Sequence, residues 1–200
     1  ILKNHEKAKT AREYLAGRKL GQDLQEKFLL GFTPSQRTWL HGFLRQKNYS
    51  EDFLAKSGLF IRGHQAYFHD RIMFPIMNAR NEVVAFGGRS LSEGGPKYLN
   101  TPETFFFQKG ANLYGINNAL NEIKEKGFCY LVEGYFDVMA MHAAGLANCV
   151  APLGTALTER QARIWKRYCD KAVLLFDGDD AGIKATIRAI EIFETCDVET

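Results

Sequence analysis

Leu174-Leu-Phe-Asp-Gly-Asp-Asp-Ala-Gly-Ile-Lys-Ala-Thr186 decides the fold. An apolar run stops at Asp177, a second carboxylate follows at Asp179, and a helical pattern begins at once. The layout occurs once more upstream, where Tyr130-Leu-Val132 stops at Glu133, followed by Gly134 and Asp137. Strand ends tipped with acid and glycine are what a parallel sheet needs to hold divalent ions at its carboxyl edge. The pattern points to metal-assisted phosphoryl chemistry.

Outward from these strands, the C-terminal half alternates. Helices are predicted over 116–126, 135–144, 158–168 and 181–194, and strands over 128–132, 148–151 and 172–176. Such alternation predicts a parallel sheet covered by helices. The N-terminal part reads differently. Ala8, Ala11, Leu15 and Ala16 recur at helical spacing and stop at Gly17. Thr33-Pro34 is expected to open a second helix, with Pro34 in its first turn and Trp39, Leu40, Phe43 and Leu44 on one face. Ser50 is expected to cap a short helix ending at Gly58. Residues 71–77 and 82–86 then read as a β-hairpin around Asn78-Ala-Arg-Asn81, and Pro75 suggests an edge or a bulge. Residues 87–115 look irregular.

Composition bounds the rest. With 200 residues and 46% hydrophobic content, the chain is long enough to bury a real core. No run of 18 apolar residues occurs, so no membrane contact is expected. The opening Ile1 and the polar end read as a piece of something longer. Cys129, Cys149, Cys169 and Cys196 form no Cys-x-x-Cys pair, so no zinc is expected in this chain, and a reducing cytoplasm suits free thiols. The net charge of +3 is unevenly spread. Residues 1–127 hold 19 Lys and Arg against 12 Asp and Glu; residues 128–200 hold 7 against 11. A polyanion held beside a metal cluster suits this asymmetry, and so does chance variation between solvated surfaces.

Two readings of the acids stand side by side. Asp177 and Asp179 suit a turn and a helix cap. With Glu133 at a neighbouring strand end, they also suit a carboxylate cluster that repels itself until a cation neutralises it. Oxygen ligands at that density favour Mg²⁺ or Mn²⁺. Asp180 is expected to be the cap or a solvated side chain, and Asp137 either to reach the metals or to favour its own helix start. Phe105-Phe-Phe107 is weighed as a base-stacking platform and as core, and core packing is expected. Trp39 and Trp165 are also expected in the core. His5, His41, His64, His69 and His142 show no ligand spacing and receive no role.

Val132-Glu-Gly-Tyr-Phe-Asp-Val-Met139, Ala151-Pro-Leu-Gly-Thr-Ala-Leu-Thr158 and Phe176-Asp-Gly-Asp-Asp-Ala-Gly-Ile-Lys-Ala185 resemble the Toprim module of primases, topoisomerases and some nucleases. Arg71-Ile-Met-Phe-Pro-Ile76, Ala85-Phe-Gly-Gly-Arg89, Pro96-Lys-Tyr-Leu-Asn-Thr-Pro-Glu-Thr104, Phe107-Gln-Lys-Gly110 and Leu113-Tyr-Gly115 resemble the RNA polymerase core of bacterial DNA primases of the DnaG type. Ala11-Arg-Glu-Tyr-Leu15 fits that core's opening helix. The resemblance implies an α/β chain: an α+β N-terminal subdomain over residues 1–115, then a partial Toprim parallel α/β sheet over 116–200. It implies Mg²⁺ or Mn²⁺ on Glu133, Asp177 and Asp179, with Asp137 close by. Arg71, Arg89, Lys97, Tyr98, Asn100 and Lys109 match positions lining the family's nucleotide and nucleic-acid groove.

The implied activity is synthesis of short RNA primers on a single-stranded DNA template from NTPs in the bacterial cytoplasm, at the replication fork. The implied partners are template DNA, the RNA primer, NTPs and the replicative helicase, the last through a domain absent here. A further acidic motif of the Toprim sheet is expected beyond Thr200, so the fragment is expected to lose part of its metal site, and its activity alone is left open. The rival readings are strand cleavage by a topoisomerase or nuclease, and a module that only binds nucleic acid.

Overall fold

In the computed structural model, which describes residues 2–61, 64–154 and 156–200, the chain divides into two compact units, residues 1–75 with 85–104 and residues 76–84 with 105–200. Thr155, inside the expected loop after Gly154, lies outside the described residues.

The first unit begins with α1 (Lys9–Gly17), whose Ala11 and Leu15 are buried, and α2 (Gln22–Lys27). Next comes β1 (Gly31–Thr33), where a helix start is expected. Thr33 pairs with Arg71 instead, and the following proline disfavours a helical backbone at Thr33. Helix α3 (Trp39–Gln46) therefore starts later. Trp39 is only half-buried, stacked on Phe43 at 5.5 Å, so the expectation of a core tryptophan fails there. Helix α4 (Glu51–Lys56) is capped as expected, with Ser50 Oγ accepting from Phe53 N–H.

Strands β2 (Phe60–Ile61) and β3 (Gln65–Ala66) pair antiparallel. Strands β4 (Arg71–Met77) and β5 (Val83–Ser90) form the expected hairpin. The segment expected to be irregular contains β6 (Tyr98–Asn100) as well. Its three residues carry no readable alternation, and their pairing to Gly87, Gly88 and Arg89 makes them a strand. The sheet order is β1-β4-β5-β6. Strand β4 is thus internal, but β1 pairs with it only as far as Met73, so Pro75 interrupts no ladder on that side.

In the second unit the alternating pattern holds. Its elements are α5 (Ile116–Lys126), β7 (Phe128–Leu131), α6 (Tyr135–Ala143), β8 (Cys149–Val150), α7 (Glu159–Lys166), β9 (Lys171–Leu174) and α8 (Asp180–Glu194). The sheet is parallel, in the order β8-β7-β9. Glu199 adds a bridge on the outer edge of β9 at Lys171. Leu113, Ile123, Leu131, Trp165 and Phe193 are buried in one core, each such side chain contributing about 1.5–3 kcal/mol. Tyr114 exchanges both backbone hydrogen bonds with Ala151. Leu113 lies in this core and Tyr114 bridges to its sheet.

Among the described residues, no helix is long and apolar enough to cross a membrane. Cys129, Cys149 and Cys169 are buried, and all four cysteines are free thiols.

Candidate active site

Strands β7 and β9 run side by side with Leu131 opposite Leu174, so their carboxyl ends finish level. Beyond those ends the chain releases Glu133 on one side and Asp177 and Asp179 on the other, all exposed. Glu133 Oε1 accepts a hydrogen bond from Asp177 N–H at 2.7 Å, which ties the two strand ends together. Asp179 is the N-cap of α8, its Oδ1 accepting from Gly182 N–H at 2.8 Å. Asp180, expected as the cap or as a solvated side chain, is the exposed first residue of the helix. Asp137 lies exposed in the first turn of α6, its Oδ2 within 3.6 Å of where a Cβ on Gly134 would stand.

A cleft of about 380 Å³ opens beside these acids, lined by Glu133, Asp179, Phe176, Leu157, Pro152 and Arg188. Gly182 is the residue that sequence reasoning quoted but gave no role. A Cβ there would stand 2.0 Å from the Asp177 carbonyl oxygen, so only glycine lets α8 start against the Asp177 backbone. The Ala-Gly pair just inside the helix start was the available signal.

The acids share one sheet edge. The one group of three His, Cys, Asp or Glu ligand atoms within 4.8 Å of one another, among the described residues, lies elsewhere, at His41, Glu51 and His64. Glu133 and Asp179 each turn one oxygen to a backbone N–H. A hydrated Mg²⁺, which keeps several waters and takes one or two carboxylates, fits this open oxygen-lined edge.

The cations predicted for a groove divide sharply. Arg71 is 6% exposed. Its Nη1 donates to the carbonyls of Gly88 at 3.2 Å, Pro96 at 3.0 Å and Lys97 at 3.5 Å. Gly88 makes room for it, since a Cβ there would meet Arg71 Cδ at 2.9 Å. Arg89 is half-buried on the opposite face of β5. Its guanidinium lies 4.1 Å from the centre of the Tyr14 ring, and Nη1 donates to the Ser90 carbonyl at 2.6 Å. Tyr98 sits directly across from Arg89. Burial raises the Tyr98 phenol above its usual pKa, against the opposing pull of Arg89. Asn100, two residues along β6, shares the face of Tyr98, while Lys97 is exposed.

Lys109 belongs to the second unit, in a single turn of helix over Lys109–Ala111. That turn is held from α7. Thr158 and Gln161 form a capping box, and Gln161 Nε2 donates to the carbonyls of Lys109 at 3.0 Å and Asn112 at 2.7 Å. Thr158 Oγ1 reaches the Gly110 carbonyl at 2.7 Å. The Thr-x-x-Gln spacing predicts the cap, but nothing local predicts that the fully buried Gln161 carries this loop. The phenylalanine run splits: Phe107 is 0% exposed, whereas Phe105 is 94% and Phe106 77% exposed. Core packing is therefore right for one of the three.

A family model described as "DNA primase catalytic core, N-terminal domain" matches residues 1–120, and one described as "Toprim-like" matches residues 130–200. The DNA primase of Treponema pallidum is 44% identical over 182 residues, covering 90% of this chain and 30% of that protein. The crystal structure of the Aquifex aeolicus primase, with its zinc-binding and RNA polymerase domains, superposes at a TM-score of 0.89 with 40% identity, covering 98% of this chain and 49% of that one. A DnaG primase catalytic domain bound to single-stranded DNA superposes at 0.84 with 34% identity, covering 96% and 61%. The chain spans 30–40% of the length of the first curated relatives it matches.

Proposed function

The chain belongs to the DNA primase catalytic-core family, and on that premise we propose that it is part of a bacterial primase that makes short RNA primers on single-stranded DNA by nucleotidyl transfer from NTPs. The observation that carries this reading is the Asp177 N–H bond to Glu133, which holds two acidic strand ends together at one sheet edge. Glu133, Asp177 and Asp179 would hold Mg²⁺ or Mn²⁺, with Asp137 beside them. Divalent ions there supply charge neutralisation for an attacking 3′ hydroxyl and a leaving pyrophosphate.

The protein's own residues do the positioning. Gly182 fixes the Asp177 backbone, and the exposed Asp179 anchors α8 through one oxygen. Arg89, Lys97, Tyr98, Asn100 and Lys109 take triphosphate and nucleic acid, Arg as a planar fork and Lys as a point charge. Arg71 acts through the Pro96 and Lys97 carbonyls it holds, as a positioning residue. Phe105 and Phe106 offer exposed rings to unstacked template bases. The replicative helicase and a place at the bacterial replication fork, in the cytoplasm, follow from the same reading.

Primer synthesis by the full-length protein on single-stranded DNA with NTPs and Mg²⁺ tests it. The Asp177→Ala variant is expected to lose synthesis and to bind Mn²⁺ more weakly by calorimetry. Wild-type synthesis by that variant would end the reading.

A further inference from the structure

His41, Glu51 and His64 lie in three different parts of the first unit, in α3, at the start of α4 and immediately before β3. Their spacing in the chain gives no hint of a shared site, yet one ligand atom from each falls within 4.8 Å of the other two. His41 Nε2 is 3.0 Å from Glu51 Oε2, and His64 Nδ1 is 3.6 Å from the same oxygen. The imidazole rings face each other at 4.2 Å between centres.

The carboxylate is held so that it divides its oxygens. Arg45 Nε takes Oε1 at 3.1 Å while Arg45 Nη1 donates to the Tyr49 carbonyl at 2.6 Å. Oε2 is left to the two imidazoles. The Ser50 cap fixes the turn from which Glu51 projects. His41 is also steadied edge-on by Phe60 at 5.8 Å. The hydrogen bond from His41 holds the Glu51 carboxyl below its usual pKa, so the oxygen is ionised and available.

We propose that His41 Nε2, Glu51 Oε2 and His64 Nδ1 form a three-ligand site for a zinc-class divalent ion. Bonds of 2.0–2.2 Å to a tetrahedral ion place ligand atoms about 3.3–3.6 Å apart, close to the 3.0 and 3.6 Å of the two nitrogen–oxygen pairs. Two imidazole nitrogens and one carboxylate oxygen suit Zn²⁺ and disfavour Mg²⁺, which takes oxygen ligands and keeps its waters. Such an ion would clip α3, α4 and the approach to β3 together, leaving a fourth position for water. The site is independent of the acidic edge of the second unit, and it stands whether or not the primase reading does.

The test is a calorimetric titration of Zn²⁺ into the protein carrying Cys196→Ser, in excess Mg²⁺. Excess magnesium competes with zinc for oxygen-only carboxylate sites such as the acidic edge. The substitution removes the half-exposed thiol, and burial keeps Cys149 and Cys169 protonated, with pKa values pushed up to about 12 and about 11. About one equivalent of Zn²⁺ is expected at this site, with a rise in melting temperature. His64→Ala, at an exposed position that leaves folding intact, is expected to weaken binding at least about tenfold and to abolish the rise. Glu51→Gln should do the same. Wild-type zinc affinity in His64→Ala would overturn the proposal. So would an absence of zinc binding to the parent, which would mark the cluster as an ion pair between Glu51 and protonated imidazoles and nothing more.

Discussion

The acidic edge of the second unit and the basic sheet of the first use charge in opposite ways. At the edge, Glu133 and Asp179 are anchored by backbone N–H groups and keep their carboxylates in solvent. In the four-stranded sheet of β1, β4, β5 and β6, Arg71 and Arg89 turn inward, one onto main-chain carbonyls and the other onto the Tyr14 ring. The lesson is that a charged residue in a matching motif can be a contact or a brace. A guanidinium with five donors is well suited to bracing, because a single side chain can reach several carbonyls at once. A carboxylate offers acceptors only, and a single N–H fixes it while leaving the second oxygen open.

The largest expected effect breaks the acidic edge without touching a carboxylate. Gly182→Ala forces a Cβ against the Asp177 carbonyl. A displacement of about 1 Å there should lower primer synthesis by about a hundredfold. Gly178→Ala, whose Cβ would meet nothing within 4 Å, should leave most activity. Equal losses in the two variants would mean that the α8 start does not position Asp177.

Next in size is the contrast within the phenylalanine run. Phe107→Ala should destabilise the protein by about 3–5 kcal/mol in chemical denaturation, while Phe105→Ala should change stability by less than about 0.5 kcal/mol. Phe105→Ala should instead weaken single-stranded DNA binding by about 1–3 kcal/mol, read by fluorescence anisotropy.

The brace-versus-contact distinction is sharpened by Arg71→Met and Lys97→Ala. Loss of the guanidinium removes its hydrogen bonds to three carbonyls and should lower stability by about 1–3 kcal/mol. Lys97→Ala should leave stability within about 0.5 kcal/mol and reduce the salt dependence of DNA binding by about one unit of slope. An Arg71→Met protein of unchanged stability that fails to bind DNA would reverse the assignment.

The smallest effect concerns inward-facing thiols. Burial, with Asp137 adding to it, raises Cys149 to about 12, and burial raises Cys169 to about 11, from a usual value of 9. These thiols ionise in the unfolded chain before they do in the native one. Their stabilising contribution is therefore complete below pH 9 and is lost progressively as pH rises from 9 toward those values. Denaturation curves between pH 8 and 11 should show that decline, and iodoacetamide at pH 8 should modify the half-exposed Cys196 first.

Much of this was legible in the chain. The second unit's alternation was read to within a few residues at each element, because hydrophobic periodicity and caps are local signals. Glu133, Asp177 and Asp179 were placed at strand ends for the same reason. Strands β1 and β6 were not legible, since each has three residues and exists through pairing with distant partners. The inward course of Arg71 and the burial of Gln161 were equally hidden: their partners lie 17–26 and 49–52 residues away in the chain.

By itself the sequence determined the rhythm of strands and helices, the acids that tip two strands, and the family to which its ordered motifs belong. Only the tertiary structure decided which of three consecutive phenylalanines enters the core, which arginine braces the main chain, and that two unremarked histidines meet Glu51. The physical reason is range. Periodicity and capping act within a turn or two of the chain, whereas burial and ligand geometry are set by segments that meet only when the whole unit packs.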